Sequence, residues 1–340
     1  MKTSSIFNFN IMKKLVIKAI VFLLLLWFCD FTIGSVLKKM YFNIETGTSG
    51  ALINHLIKSK YDAYIFGSSQ SQHGYIPSII EDEIGLSVYN AGEDGTDILY
   101  KYAMLQLMLE THKPKLIIWE VSYIDYSYYG GSTKLLLPYY ENKKVREMLN
   151  TIDPRLKIAM LSKLYPYNQK IASILTSYFS NHKSQNLKLQ GYSPVYGFIE
   201  ASKIKYLEST LRQRMADNAR TKKDNSKKDI IAQHYFHEFI QDCRLNGIDL
   251  IAFESPPNPI ILDSHLIPSL SPQIIHELDN SGVDLHKILH KEYPELNHRE
   301  NYKDFSHLNH SGATAYSGIV AKIVRRELES KGSTDIQTKY

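Results

Sequence analysis

The chain is short of cysteine, and this scarcity excludes several kinds of fold. Its 340 residues include only Cys29 and Cys243, so it has neither a disulfide framework nor a paired-cysteine metal knuckle. Cys29 falls in an apolar N-terminal segment and Cys243 near the end of a predicted helix, which gives no reason to pair them. The cysteines therefore do not indicate a cellular compartment.

A strong excess of charge of one sign is also lacking, because the formal net charge is only +5. Lysines cluster at the N-terminus and at 222–228, but no aromatic residues are interleaved with them as on a nucleic-acid surface. The histidine pairs His234/His237 and His286/His290 lack the glutamate of an HExxH motif and an evident third ligand. The sequence thus predicts no nucleic-acid partner, no metal and no other cofactor.

Charges are scarce between Leu15 and Val36, and the stretch is long enough to cross a bilayer. We predict a transmembrane anchor at 15–36, with a lysine-bearing cytoplasmic N-terminus at 1–14 and a stalk at 37–60. The remainder would lie outside the plasma (inner) membrane, in the periplasm or at the cell surface. A cleaved signal peptide and a buried core helix are the alternatives, although no small-x-small cleavage site follows the apolar run directly.

Short apolar runs alternate with helical patterns along most of the remaining chain. The runs end in glycine or in polar residues, at Gly67, Gly92, Val121 and Glu254. Such alternation predicts an α/β domain over 61–329, with a central parallel sheet covered by helices on both faces. The ligand of such a sheet lies beyond the carboxyl ends of its strands.

The alternation is interrupted at about 124–228, a length that is improbable for a structureless loop. We predict a helical insertion there, placed over the ligand end of the sheet. It would be an acceptor-binding surface or a lid, or alternatively a structural elaboration. Residues 330–340 are polar and are predicted to form a disordered tail.

Two short segments contain the residue types that an activated serine needs. Gly67-Ser68-Ser69 follows the first predicted strand, and a sharp turn from strand to helix would expose the Ser69 hydroxyl. Asp304 and His307 are three residues apart in a predicted loop before the last helix, so the carboxylate can orient the imidazole. The neighbouring Ser68 and Ser71 are weaker candidates for the nucleophile.

On these segments the chain resembles the SGNH/GDSL hydrolase superfamily over roughly residues 60 to 330. The resemblance implies a three-layer α/β/α, flavodoxin-like sandwich with Ser69 as nucleophile and with the Ser69 and Gly92 amides as oxyanion donors. It also implies His307 as general base and Asp304 as the residue that orients it. The G-S-S form of the first block is similar to a membrane-anchored branch that includes teichoic-acid D-alanyl transfer and alginate O-acetylation proteins.

The third block of that family carries an asparagine that this chain lacks. The third strand instead leads into Glu120-Val121-Ser122-Tyr123, and the hydroxyl of Ser122 or Tyr123 is the candidate replacement. Three further polar residues at strand ends are candidate substrate contacts: Asn90, Glu120 and Glu254. For His73 a helix-cap or surface role is favoured over substrate contact, and for His310 a cap of the last helix.

The expected function is an extracytoplasmic serine O-acyltransferase, most simply an acetyltransferase, that acts on a cell-surface polysaccharide or envelope glycan. The resemblance also implies a multi-span membrane-bound acyltransferase as partner. An SGNH esterase or deacetylase with water as acceptor is the first alternative. A catalytically inactive glycan-binding or scaffold protein is the second, and the missing asparagine is what favours it.

Overall fold

A five-stranded parallel sheet forms the centre of the molecule, as a computed structural model shows. The structure describes residues 9–45, 51–128, 130–179, 189–206, 208–210, 212–213, 226–260 and 269–337. The strands have the order β2-β1-β3-β4-β5, and every neighbouring pair is parallel. In chain order they are β1 Ala63–Phe66, β2 Val88–Asn90, β3 Leu116–Glu120, β4 Asp249–Glu254 and β5 Leu285–Lys287. The predicted parallel α/β sheet is confirmed.

Twelve α-helices lie within the described residues, and several begin or end at residues suited to those positions. Pro77 occupies a first turn, the Asp97 side chain accepts the Leu99 N–H at 3.2 Å, and Gly247 ends a helix at φ +67°. The helices are α1 Phe9–Asn43, α2 Ala51–Lys58, α3 Ser69–Gly74, α4 Pro77–Ile84, α5 Ile98–Leu109, α6 Ser132–Leu136, α7 Lys143–Ile152, α8 Leu156–Ala159, α9 Ile171–Phe179, α10 Ser226–Leu245, α11 Pro272–Asn280 and α12 His310–Gln337.

Helices cover both faces of the sheet, because alternate side chains of each strand point to opposite sides. Tyr64 and Phe66 of β1 belong to one apolar cluster, which includes residues of α2, α5 and α10. Ala63 and Ile65 belong to the other cluster, which includes residues of α4 and α12. The central strands β1 and β3 are buried on both faces, which explains why they are apolar rather than alternating.

Helix α1 combines an exposed apolar half with an end that belongs to the core. It is the one helix among the described residues that is long and apolar enough to cross a membrane. Every residue from Ile11 to Cys29 is exposed, whereas Leu37 and Tyr41 are buried in the first cluster. The described residues of the predicted stalk, 37–45 and 51–60, therefore do not form a free stalk, because α2 also contributes buried Ile53 and Leu56.

The predicted insertion divides into two parts that pack in different places. Helices α7 and α9 pack against α5 and α1 respectively, so this part extends the helical layer on the first face. Residues 189–199 instead pass along the carboxyl ends of the strands, where Gln190 O accepts the Asn90 N–H at 2.8 Å. Residues 129, 180–188, 207, 211 and 214–225 lie outside the described part of the insertion. At the far end, α12 continues to Gln337, into the segment for which a tail was predicted.

Candidate active site

The turn from β1 into α3 places Ser69 at the first position of a short helix, half-buried at the carboxyl edge of the sheet. Gly67 makes this turn tight, because a Cβ there would lie 2.5 Å from Ser71 Oγ and 2.7 Å from Glu120 Cβ. Helix α3 can therefore rest directly on the end of β3. The glycine in Gly-x-Ser is explained by this close approach.

Ser69, His307 and Asp304 form one hydrogen-bonded chain. Ser69 Oγ lies 2.7 Å from His307 Nε2, and His307 Nδ1 lies 2.7 Å from Asp304 Oδ2 and 2.9 Å from Oδ1. The imidazole keeps a quarter of its side-chain exposure, so a substrate can reach it. The three residues that the sequence selected from segments more than 230 positions apart are thus brought together.

Backbone hydrogen bonds fix the Asp304 carboxylate in this position. Its Oδ1 accepts the N–H groups of Ser306 and His307, each at 2.9 Å. Burial raises the pKa of Asp304, but the hydrogen bonds and charge of His307 outweigh burial, and the net pKa is below the usual range. Asn258 Nδ2 supports the same loop by donating to Asp304 O at 3.1 Å. The carboxylate is therefore held ionised, facing the ring.

Asn309 closes the loop at its other end and starts α12. Its Oδ1 accepts the Gly312 N–H at 3.1 Å, and its Nδ2 donates to the carbonyls of Gly197 and Glu300 at 3.0 and 2.6 Å. The expected cap, His310, instead is the first residue of the helix and lies 3.0 Å from the Tyr192 hydroxyl. The asparagine was the better candidate, because asparagine is among the preferred N-cap residues.

Gly92 and Asn90 are hydrogen-bonded to each other in the described structure. Gly92 N–H donates to Asn90 Oδ1 at 2.9 Å, and Asn90 Nδ2 donates to the Ser71 and Tyr75 carbonyls at 2.7 and 2.8 Å. Asn90 is fully buried and its side chain is already hydrogen-bonded, so the structure gives no support to the predicted substrate contact, which stays a prediction. A Cβ at Gly92 would lie 2.6 Å from Gln72 N. This glycine is thus required by packing, and its amide already has an acceptor.

Glu120 lies beneath the site rather than in it. Its carboxylate accepts hydrogen bonds from the Tyr75 hydroxyl, from Ser255 Oγ at 2.7 Å and from Ser255 N at 3.2 Å. Tyr316 completes the group through the hydroxyls of Tyr75 and Ser255 at 2.9 and 3.0 Å. Burial raises the pKa of Glu120 to about 8 despite these hydrogen bonds. The structure gives no support to its predicted role as a substrate contact, which stays a prediction.

Two predictions at strand ends remain, namely Glu254 as a substrate contact and the hydroxyl of Ser122 or Tyr123 as an oxyanion donor. Glu254 accepts the Leu270 N–H at 3.1 Å and lies 3.5 Å from Lys287 Nζ, which ties the end of β4 to the next segments. Ser122 is buried and its hydroxyl has no hydrogen-bond partner within the described residues, while Tyr123 is 46% exposed. Ser122 N donates to Asp125 Oδ2 at 3.1 Å. The two hydroxyls stay predictions as oxyanion donors.

A second histidine–aspartate pair lies beside the first, and the sequence did not indicate it. His73 Nε2 lies 3.3 Å from Asp94 Oδ1, and His73 Nδ1 lies 2.6 Å from the Ser193 carbonyl. Its ring centroid is 5.8 Å from that of His307. Burial lowers the pKa of His73, but the hydrogen bonds to Asp94 and Ser193 raise it by more. Both ring nitrogens face acceptors, and the cationic form of His73 can donate to both of them.

The spacing of His73 from Ser69 was the signal that could have found it. Residues four apart share one face of a helix, so His73 had to lie on the same side of α3 as the nucleophile.

Ser68 and Ser71 are buried, and Ser71 Oγ donates to Ser68 O at 2.9 Å, which leaves Ser69 as the accessible serine of this turn.

An open depression borders the site on the side of α12. It is lined by Tyr196, Gly197, Asn309, His310, Ser311, Thr314 and Ala315. Tyr196 is largely exposed there and its ring centroid is 5.6 Å from that of His310. No group of three His, Cys, Asp or Glu side chains suited to a metal ion occurs among the described residues.

No protein-family model matches the chain, and comparison with curated proteins also finds no match. The function is therefore inferred from the geometry of Ser69, His307 and Asp304 and from the motifs that contain them.

Proposed function

We propose that the protein is a membrane-anchored serine O-acyltransferase of the SGNH/GDSL type. It would transfer an acyl group, acetyl in the simplest case, to a hydroxyl of a cell-surface polysaccharide or envelope glycan. The observation that carries the proposal is the 2.7 Å contact of Ser69 Oγ with His307 Nε2, backed by Asp304 on the other ring nitrogen. The parallel sheet with the site at its carboxyl edge supports it further.

The chemistry follows from the order of these three groups. His307 takes the proton of Ser69 while Oγ forms a bond to the acyl carbon, and the proton then passes to the leaving alcohol as its C–O bond breaks. In the second half, His307 takes a proton from the acceptor hydroxyl, whose oxygen forms the new ester bond. The proton returns to Ser69 when the acyl–Oγ bond breaks. Asp304 stabilises the imidazolium in both halves.

Stabilisation of the oxyanion is the demanding part of this scheme. The Ser69 N–H stands at the start of α3 and is one donor. The Gly92 N–H becomes a second donor only when it leaves Asn90 Oδ1. Loss of one such donor slows acyl transfer by ~10²–10³-fold. We therefore expect slow turnover of simple ester substrates, with faster reaction when the bound acceptor remodels this turn.

The location of the reaction is part of the proposal. The exposed apolar half of α1 supports a single-pass anchor with the N-terminus in the cytoplasm and the site outside the plasma (inner) membrane. Asp30 and Gly34 of the same helix contact the folded domain, which favours a retained helix over a cleaved signal peptide. A multi-span membrane acyltransferase as source of the acyl group is inferred from the resemblance alone.

The test uses the full-length chain in detergent micelles with an activated acetyl ester as donor. Intact mass spectrometry should find one added acetyl group in the wild type and none in Ser69→Ala. The matched control is Ser78→Ala, which alters an exposed serine on α4 and should still be acetylated. A covalent adduct that persists in Ser69→Ala would contradict the assignment of the nucleophile.

The acceptor decides between the two enzymatic functions. If acetylated glycan forms when a polysaccharide is added, the protein is a transferase. If free acetate is released at a rate that ignores the glycan, it is an esterase, for which the partial exposure of His307 to solvent is the favouring observation. Absence of any adduct on Ser69, together with saturable glycan binding, would instead indicate a non-catalytic binding protein.

A further inference from the structure

The first part of the insertion carries apolar side chains that no described part of the chain covers. Ile158 and Leu161 are 75% and 77% exposed, and they belong to one turn, because Ile158 O accepts the Leu161 N–H at 3.0 Å. Exposed Leu175, Tyr178 and Phe179 follow on α9. We call these five residues the insertion patch. Within the patch, Ile158 and Leu161 share a turn and Tyr178 and Phe179 are in ring contact, and exposed apolar groups of this size mark contact surfaces.

The exposure of α1 locates the point at which this helix leaves its apolar surroundings. The exposed residues Ile11–Cys29 extend about 28 Å at 1.5 Å per residue, which is close to the ~30 Å of a bilayer core. From Asp30 onward, buried or partly buried positions recur along the helix. The boundary of the membrane would therefore lie near Asp30, earlier than the end predicted at Val36.

Asp30 joins this boundary to the insertion patch. Its carboxylate accepts hydrogen bonds from Ser162 Oγ at 2.5 Å, from Lys163 N at 2.8 Å and from Leu164 N at 3.3 Å. These donors directly follow Leu161 in the chain. The patch residue nearest to them thus lies at the height where α1 leaves its exposed stretch.

Close backbone packing one turn later makes this arrangement rigid. A Cβ at Gly34 would lie 2.6 Å from Leu164 N and would overlap the Lys163 carbonyl. Lys38 Nζ then pairs with Glu141 Oε1 at 2.6 Å. Three successive contacts along α1, at residues 30, 34 and 38, therefore hold the insertion against the helix.

We propose that the insertion patch is embedded in the outer headgroup region of the same bilayer that α1 crosses. This inference rests on the proposed anchor and extends it from a single helix to a membrane-contact surface. Exposed basic residues alternate with the apolar ones, namely Lys157, Lys163 and Arg155, of which Arg155 is already paired with Asp153 at 2.8 Å. A surface with apolar side chains next to lysine and arginine fits anionic lipid headgroups better than it fits a purely apolar protein groove.

Single-cysteine labelling tests the depth of the patch in a membrane that contains no other protein. The full-length Cys29→Ser chain is placed in anionic lipid nanodiscs, because Cys29 is exposed while Cys243 is buried. A polarity-sensitive fluorophore is attached to Leu161→Cys and, in a second variant, to Ile158→Cys. Leu245→Cys is the matched control, since Leu245 is also 77% exposed but ends α10 just before β4, outside the insertion. Leu24→Cys reports on the span itself.

We expect blue-shifted emission at 158 and 161 and loss of fluorescence when lipids carry a nitroxide near the headgroup, with neither effect at 245. Emission at 158 and 161 equal to that at 245, with position 24 still quenched by deep nitroxides, would overturn the inference and leave the anchor standing. Lack of quenching at position 24 would remove the anchor and the inference together. The readout needs no substrate, so it is independent of the proposed acyl transfer.

Discussion

The buried carboxyl of Glu120 gives the sharpest quantitative prediction of this fold. It accepts hydrogen bonds from Tyr75 and Ser255 but has no cationic partner in the hydrogen-bonded group around it. Burial raises its pKa from 4.5 to about 8, so the carboxyl is largely neutral in the folded protein at pH 7. In the unfolded chain it is ionised at the same pH. Folding must therefore take up a proton at this residue.

The sign and size of the effect follow from linkage. A raised folded pKa gives stability that is fully present below the unfolded pKa and is lost as the pH rises through the folded value. Between 4.5 and about 8, each pH unit removes about 1.4 kcal/mol, for a ceiling of about 5 kcal/mol. Glu120→Gln has the shape of the neutral carboxyl and does not titrate, so its free energy of unfolding should not fall in this way as the pH rises.

The assay is urea unfolding of the full-length chain in micelles, followed by the fluorescence of buried Trp119 with Trp27 replaced by phenylalanine. Wild type and Glu120→Gln should have similar free energies of unfolding near pH 4.5. As the pH rises towards 8, the variant should become steadily more stable than the wild type. Other titrating groups are common to both proteins and cancel in the difference. A difference that stays constant across this range would refute the neutral carboxyl.

Three further predictions concern the site and its surroundings. Asp304→Asn should lower turnover ~10⁴-fold in steady-state kinetics, because the amide no longer holds the imidazole in its reactive tautomer; unchanged turnover would remove Asp304 from the mechanism. Gly92→Ala adds a Cβ 2.6 Å from Gln72 N and should cost ~1–3 kcal/mol in the same urea assay, whereas a neutral effect would mean that α3 shifts freely. His73→Gln should lower the free energy of unfolding at about pH 5, and at high pH it should leave that free energy equal to the wild-type value. The reason is that the raised pKa of His73 gives stability that is present below pH 6.5 and is lost as the pH rises through the folded pKa. If His73→Gln were equally destabilising at pH 5 and at high pH, His73 would be neutral in the folded protein.

The sheet was predictable because its signal is local and physically simple. Short apolar runs such as Leu116–Glu120 must be buried on both sides, and only a parallel sheet with helices on both faces does this. The places where such runs end then marked the functional edge. The stalk could not be recognised, since Leu37 and Tyr41 look like the end of an apolar span until the surface that covers them is known.

The site was predictable for residues whose chemistry demands them and less so for residues that only support them. Ser69, Asp304 and His307 are rare in combination, and the turn after β1 meets the loop before α12 at their contacts. Asn90 and Glu120 have the same polar character but face inward, because α3 rests on them. The direction in which a polar side chain points at a strand end depends on which element packs above it, and the sequence alone does not show that packing.

The anchor and the site meet through one set of contacts, which suggests why the first helix belongs to the core. Lys170 Nζ stands 5.4 Å over the ring of Tyr41, near the end of α1, and its charge acts on the buried carboxyl of Glu93. Glu93 precedes Asp94, the partner of His73 beside the catalytic candidates. If α1 crosses the bilayer as we propose, its packing into this edge at the other end would keep the site close to the membrane surface. Under the proposed function the acceptor would meet the site at the membrane surface, and we expect freely diffusing esters to be poor substrates.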